Sequence, residues 1–297
     1  MLRENLNDLV AFVTVAREGS FTKAAAQMGV STSALSHAMR GLEERLGLRL
    51  LARSTRSVSP TEAGEKLLLT VAPRLEEIEE QLSAIGDLRG KPTGTIRINA
   101  SRHAVSQFLW PRLKPLLQNY PEIHIEISAE NRFTDIVAER FDMGVRLTES
   151  LPKDMIAVPL SGPLRMVAVA SPAYLAEHPA PTHPSDLARH NCINIRLPTY
   201  GGFYAWEFGK GDEEMAVRVS GQLAFNDSQH ALQACLDGYG IAFTSLDMVT
   251  PYLERGELVQ ILDDWCPPFD GYSLYYPNRR QHSTAFSLVL DALRLKD

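Results

Sequence analysis

Apolar residues recur at helical spacing in three short stretches within the first sixty residues. Leu6, Leu9, Val10 and Val13 mark the first, and Phe21, Ala24, Ala25 and Met28 the second. Gly19-Ser20 separates them, with Ser20 positioned as an N-cap. Gly29-Val30-Ser31 makes a tight turn into a third helix, whose apolar face is Leu35, Met39, Leu42 and Leu46 and which Gly47 stops. Residues 50–59 are too short and too polar for another helix and suit a two-stranded wing with basic residues near its tip. Ser59-Pro60-Thr61-Glu62 fits a capping box with Pro at the first helical position, so a long helix is expected to begin there.

That helix carries Leu68, Val71, Leu75, Ile78, Leu82 and Ile85 in an alternating three-four spacing, which is a heptad seam. Such a stripe packs either on the protein's own core or on a second copy. Glu76, Glu77, Glu79 and Glu80 on the opposite face favour the second copy. Pro73 removes a backbone donor and predicts a bend, and Gly86, Gly90, Pro92 and Gly94 mark an exit linker. From Thr95 onward, alternating apolar strands are interleaved with helical stretches, as in Ile96/Ile98/Ala100, a helix over 108–117, then Ile123/Ile125/Ile127. This order predicts parallel sheets with crossover helices, arranged as two α/β lobes. Ser161-Gly162-Pro163 and Pro267-Pro268 are the strongest breakers between them.

A length of 297 residues with 44% hydrophobic and 22% charged residues supports at least two globular domains. No apolar run reaches a membrane span and no signal-peptide core follows Met1, so a cytoplasmic chain without membrane contact is expected. The formal charge of -6 argues against nucleic acid only until the chain is divided. Residues 1–60 hold eight Lys/Arg against five Asp/Glu, whereas 61–90 hold three against seven. The first segment alone has the sign that a phosphate backbone attracts. Cys192, Cys235 and Cys266 are scattered, with no metal-ligand spacing, so no metal or cofactor is expected. Buried free thiols are the favoured reading, and a redox-sensing Cys192 or Cys235 is the alternative.

A helix that reads the major groove keeps one face in its own core and offers short polar side chains to base edges. The third helix leaves Ser33, Ser36, His37 and Arg40 on one such face, with Thr32 at its N-terminal end. A polar stripe alone is usually a solvated face. Here it comes in order with a Gly turn, an Ala-rich preceding helix and a basic wing.

The stretch FVTVAREGSFTKAAAQMGVSTSALSHAMRGLEERLGLRLLARSTRSVSPTEAG, residues 12–64, resembles the N-terminal domain of LysR-type transcriptional regulators. The resemblance implies a winged helix-turn-helix, a long linker helix and a two-lobed α/β effector domain of periplasmic-binding-protein type. It implies a homodimer or homotetramer bound to double-stranded promoter DNA and controlled by a small-molecule effector, with RNA polymerase as a further partner. Carried onto this sequence, it places Thr32, Ser33, Ser36 and His37 at the major groove and Arg53 and Arg56 in the wing; Ser31, Arg40 and Thr55 complete the expected DNA-contacting set. His37 stands where the family often has Arg, and Leu51 where it often has Phe, the latter a change expected to affect wing packing. The domains are then 1–60, 61–92 and 93–297, with lobe I at about 93–163 and 268–297 and lobe II at about 164–267.

Ligands of such sheets bind beyond the carboxyl ends of the strands. Those loops carry Ser101, Arg102, His103, Glu130, Asn131 and Arg146 in the first lobe, and Asn194, Arg196, Asn226 and Asp227 in the second. The arginines and His103 make a small anionic effector the natural expectation. Trp206 and Phe208 wall the cleft or fill the core, and core is favoured. No nucleophile elbow, zinc motif or phosphate loop is present, and Asp263-Asp264 reads as a solvated turn, so an enzyme is not expected. A solute-binding transport protein would share the two lobes but have no use for residues 1–60.

Overall fold

The structure, a computed structural model, describes residues 2–53, 58–87, 92–152, 154–197, 201–277 and 283–296, with backbone alone at 2–5, 53, 76 and 79–87. It divides into two compact units, Met1–Gly90 and Lys91–Asp297. In the first, α1 (Leu2–Glu18), α2 (Phe21–Met28) and α3 (Thr32–Leu46) enclose Phe12, Val15, Ala24, Ala25, Leu35, Met39 and Leu42, all nearly solvent-free. Ser20 Oγ accepts from Lys23 N at 3.4 Å and Ser31 Oγ from Ala34 N at 3.2 Å, so both helices start on side-chain caps. Gly29 and Gly47, at φ 65° and 66°, end α2 and α3 in the left-handed region that favours glycine.

Leu46 departs from the expected core face, being 46% exposed. It lies on the last turn of α3, and the chain that turns back at Gly47 fills the space with Leu50 and Leu51 instead. These lead into the wing, β1 (Leu51–Arg53) paired antiparallel with β2 (Val58–Pro60). The Glu43 carboxylate accepts from Leu50 N at 2.8 Å and Leu51 N at 3.1 Å, tying the wing to α3.

The next helix begins later than the sequence suggested. Pro60 belongs to β2, because Thr61 N still donates to Leu50 O at 2.9 Å and prolongs the ladder. Thr61, not Ser59, is the cap of α4 (Glu62–Asp87), its Oγ1 accepting from Gly64 N at 3.1 Å. Gly64 is required there, since a Cβ would lie 2.1 Å from the Leu50 carbonyl oxygen. α4 runs through Pro73. Leu68, Val71 and Leu75 are half-buried against this unit's own core, whereas Leu69 and Ile78 are 77% and 48% exposed. The side chains of Leu82 and Ile85 lie outside those described.

The second unit begins with β3 (Gly94–Ala100), α5 (Arg102–Ala104), a π-helical stretch Val105–Leu109, α6 (Trp110–Asn119), β4 (Ile123–Ala129), β5 (Met143–Leu147) and β6 (Met155–Pro159). The chain then crosses into lobe II through β7 (Leu164–Ala170), α7 (Pro172–Glu177), β8 (Asn194–Ile195), β9 (Trp206–Lys210), β10 (Glu213–Val217) and β11 (Ala224–Phe225). That lobe is completed by α8 (Ser228–Leu236), β12 (Ala242–Ser245), α9 (Leu246–Glu254), β13 (Val259–Ile261) and β14 (Pro268–Phe269). β15 (Tyr272–Pro277) and α10 (Thr284–Leu293) return to lobe I.

Lobe I has strand order β4-β3-β5-β15-β6 around Ile98, Leu109, Leu113, Val145, Leu274 and Val289. β3 is parallel to β4 and β5, but β15 is antiparallel to β5 and β6. In lobe II β8 and β11 are parallel, whereas β12, β13 and β14 all pair antiparallel with β7. Where parallel sheets were expected, lobe I therefore has a mixed sheet, and in lobe II the main sheet is antiparallel, with β8 and β11 a separate parallel pair. A strand that re-enters a lobe from the crossover starts at the end where its neighbours finish, as Tyr272 opposite Leu147 does, and so runs against them. The two crossover strands pair with each other, Leu164 opposite Phe269 and Arg165 opposite Pro268. Trp206 and Phe208 are core residues packed on Phe243, at 5.3 and 5.0 Å between ring centroids. Among the described residues no helix is long and apolar enough to cross a membrane, and no group of three His, Cys, Asp or Glu is placed to hold a metal.

Candidate nucleic-acid interface and effector cleft

The third helix separates its faces as a groove reader must. Leu35, Met39 and Leu42 are each at most 2% exposed. Ser31, Thr32, Ser33, His37 and Arg40 are exposed, and Ser36 is partly so. Ser31 Oγ lies 3.0 Å from Ser33 Oγ, and Arg40 Nε donates to the Ser36 carbonyl at 3.5 Å, which lays the guanidinium back along the helix. The first-turn N–H groups, beyond the one taken by Ser31, point out of the N-terminus, where an anion is favoured. Leu51 is 3% exposed and belongs to the core, as its role in wing packing requires. Of the wing set, Arg53 is described in backbone only, and Thr55 and Arg56 lie outside the described residues.

The cleft residues come from strand ends far apart in the chain. Ser101 caps the helix after β3, accepting from Ala104 N at 3.2 Å while donating to Tyr272 Oη at 3.1 Å. Arg102 N donates to Asn131 Oδ1 at 3.3 Å, and its Nη1 reaches Asp227 Oδ2 of lobe II at 2.7 Å. His103 Nδ1 lies 3.1 Å from Tyr272 Oη, and its Nε2 lies 3.0 and 2.9 Å from the two carboxylate oxygens of Asp247. Two polar bridges thus join the lobes.

Asp227 and Asp247 sit at helix starts. Asp227 caps α8, accepting from Gln229 N at 2.8 Å and His230 N at 3.3 Å, and Asp247 Oδ1 accepts from Met248 N at 3.1 Å. Burial opposes ionisation of both, but the hydrogen bonds from Arg102 and from the α8 amides outweigh it at Asp227, and those from His103 and Met248 at Asp247. Both carboxyls are held below their ordinary range.

The remaining expected residues are placed differently. Arg146 does not offer its charge to solvent: it is 8% exposed and donates to the carbonyls of Val145 at 2.7 Å and Arg132 at 2.8 Å, and to Asn99 Oδ1. Burial lowers its pKa. Arg196 donates to Gly201 O at 2.9 Å and lies over the Phe203 ring at 4.6 Å, so it folds onto its own loop. Asn226 is exposed. Asn194 is buried on β8 beside β11, and its Oδ1 is without a hydrogen-bond partner among the described residues. Glu130 accepts from Ser128 and Arg132.

Asp247 and Tyr272 were missed by sequence reasoning. Each meets His103 across 144 and 169 positions of chain, and the only local signal was an acidic residue in the first turn of a helix following a strand. Cys192 and Cys235 are wholly buried, and burial pushes both thiols up to about 12. A cavity of about 530 Å³ bordered by Tyr174, His178, Asn191 and Tyr239 opens on lobe II and shares no residue with the bridges.

Residues 6–65 match the model of the bacterial regulatory helix-turn-helix protein, lysR family, and residues 89–296 match that of the LysR substrate binding domain. The chain is 55% identical over 294 residues to a putative transcriptional regulator of Pseudomonas aeruginosa, covering 99% of this chain and 96% of the relative. It is 44% identical over 296 residues to the HTH-type transcriptional regulator PgrR of Escherichia coli, covering 100% and 99%. Among solved structures, the full-length Vibrio cholerae virulence activator AphB, a member of the LTTR protein family, superposes with TM-score 0.65 at 28% identity, covering 97% of this chain and 98% of that one.

Proposed function

We propose, for a chain that belongs to the LysR family of transcriptional regulators, which residues carry its two activities and what passes between them. The protein is a DNA-binding regulator with an effector-binding domain and is not an enzyme. In this reading residues 1–60 are the DNA-binding domain, 61–92 the linker and hinge, and 93–297 the effector domain, a cytoplasmic arrangement in which RNA polymerase is the further partner at the promoter.

The observation that carries the reading is α3: a buried stripe of Leu35, Met39 and Leu42 backing an exposed face of Thr32, Ser33, His37 and Arg40. That face enters the major groove, with Ser31 and Ser36 beside it, while Arg53, Thr55 and Arg56 hold the backbone from the wing. Self-association uses the α4 seam. Since Leu68, Val71 and Leu75 already pack on the protein's own core, the exposed Ile78, with Leu82 and Ile85, carries the contact to a second copy.

The effector has an anionic group and binds between Ser101, Arg102, His103 and Asn131 of lobe I and Asn194, Asn226 and Asp227 of lobe II. Arg146 and Arg196 support the loops rather than receive the ligand. It acts by favouring one lobe arrangement over another, which shifts the population of the assembly presented to DNA. A redox-sensing thiol is not favoured, because a buried thiol raised to about 12 holds almost no thiolate near neutral pH.

The test compares full-length protein with a version lacking the first sixty residues on its own upstream DNA at low ionic strength. Only the full chain should bind. Arg53→Ala should weaken binding to all sequences and lower the salt slope by about one unit. Equal retention of DNA by the shortened protein rejects the reading.

A further inference from the structure

The cleft sets the Arg102 guanidinium of lobe I against two carboxylates of lobe II. Lobe I contributes Arg102 and His103 at the start of a helix; lobe II contributes Asp227 and Asp247, each at the start of its own helix. Arg102 and Asp227 meet at 2.7 Å, and the Asp227 side chain is only 7% exposed. Asn194 is buried on the strand beside the one that leads to Asp227, and its Oδ1 has no hydrogen-bond partner among the described residues.

A ligand that enters between these walls must break the Arg102–Asp227 contact. A simple anion would satisfy Arg102 but leave the buried Asp227 with only His230 Nδ1, at 3.2 Å, and the α8 amides; a simple cation would satisfy Asp227 and leave Arg102, which is half exposed, to solvent. Leaving one member of such a pair unmatched is costly when it is buried. A molecule with a carboxylate and an ammonium on the same carbon exchanges one ion pair for two and strands neither charge.

Resting on the assignment of this cleft as the effector site, we propose that the effector is a zwitterion of the α-amino acid class, its carboxylate received by Arg102 and its ammonium by Asp227. The Arg102–Asp227 bridge is then a stand-in for the ligand, holding the walls matched until it arrives.

The experiment measures thermal shift and titration calorimetry of the full-length protein with the standard free amino acids, each compared with its N-acetyl derivative, which lacks the ammonium, and its amide, which lacks the carboxylate. At least one free amino acid should bind saturably, with both derivatives at least about tenfold weaker. Asp227→Asn retains the α8 cap and should remove the preference for the free amino acid over its N-acetyl form; Arg102→Gln should weaken both. The inference is overturned if no free amino acid binds, if N-acetyl forms bind as well as their parents, or if Asp227→Asn leaves the preference intact. Binding of succinate or phosphate that Arg102→Gln abolishes, without binding of any amino acid, rejects the zwitterion and keeps the cleft. An amino acid whose binding survives both substitutions binds elsewhere and rejects the cleft as well.

Discussion

The reading helix and the cleft hold polar groups in opposite states. On α3 the side chains Thr32, Ser33 and His37 stand exposed on a face fixed by the core behind them. In the cleft Arg102 is already bonded to Asp227 and His103 to Asp247 across the lobes, with Tyr272 of lobe I beside His103. A surface of the first kind binds without dismantling anything, so its affinity follows from contacts made. A surface of the second kind binds only what replaces the contacts it loses, so it selects by exchange. On the proposed assignment, the same chain presents a constant output face and a conditional input face.

Four experiments press on that contrast. The largest effect is expected from Arg146→Leu, which leaves the Val145 and Arg132 carbonyls and Asn99 Oδ1 without their donor inside lobe I; urea unfolding should show a loss of about 3 kcal/mol in the effector domain, with operator affinity unchanged at temperatures where the variant is folded. A loss confined to ligand affinity, with normal stability, would make Arg146 part of the input face after all. Next, His37→Ala should cost about 1–3 kcal/mol at one base position and leave the melting temperature alone. If it instead weakens random DNA to the same extent, α3 is not reading sequence.

Acid should produce a smaller change. Asp227 and Asp247 are held below the ordinary carboxylate range in the folded protein, so between their folded values and that ordinary range they bind fewer protons folded than unfolded. Their contribution is present in full at neutral pH and is lost as pH falls below about 4. With Arg102 half exposed, a loss of no more than about 1 kcal/mol from its bridge is expected in pH-dependent unfolding curves, and a loss setting in above pH 6 would contradict the depressed carboxylates. The smallest effect is that of Leu46→Ser, within about 0.5 kcal/mol by thermal unfolding, because this leucine is solvent-facing. A cost comparable to a buried leucine would place it in the DNA-binding core.

What was legible in the sequence follows the range of the interactions. The α3 face could be read because Leu35, Met39 and Leu42 on one side and Ser33, His37 and Arg40 on the other obey one helix's periodicity, and Ser20 and Ser31 cap within three residues. Leu46 misled because periodicity does not know that Gly47 turns the chain away. Pro60 misled because its pairing partner, Leu51, is set by the wing rather than by the capping pattern. Strand direction in the lobes was illegible for a related reason: the breakers at 161–163 and 267–268 are visible, but which end of the sheet the chain re-enters is not.

The cleft was read in half. Ser101, Arg102 and Asp227 could be named because helix starts after strands are locally marked; the structure shows that Arg102 and Asp227 meet. Arg146 looked identical in sequence, a cation at a strand end, yet its side chain turns into the sheet to meet Asn99, 47 positions away. Asp247 and Tyr272 acquire meaning only from His103, which no spacing along the chain connects to them.

The crossovers between the lobes have a mechanical consequence. Leu164-Arg165 and Phe269-Pro268 lie side by side as a two-strand strip rather than as two separate tethers. Such a strip yields to flexing out of its plane but resists twisting and in-plane sliding, since either would shear the backbone hydrogen bonds joining its edges. A swing of one lobe against the other about the line of that strip would leave its paired backbones together, whereas sliding one lobe past the other would pull them out of register.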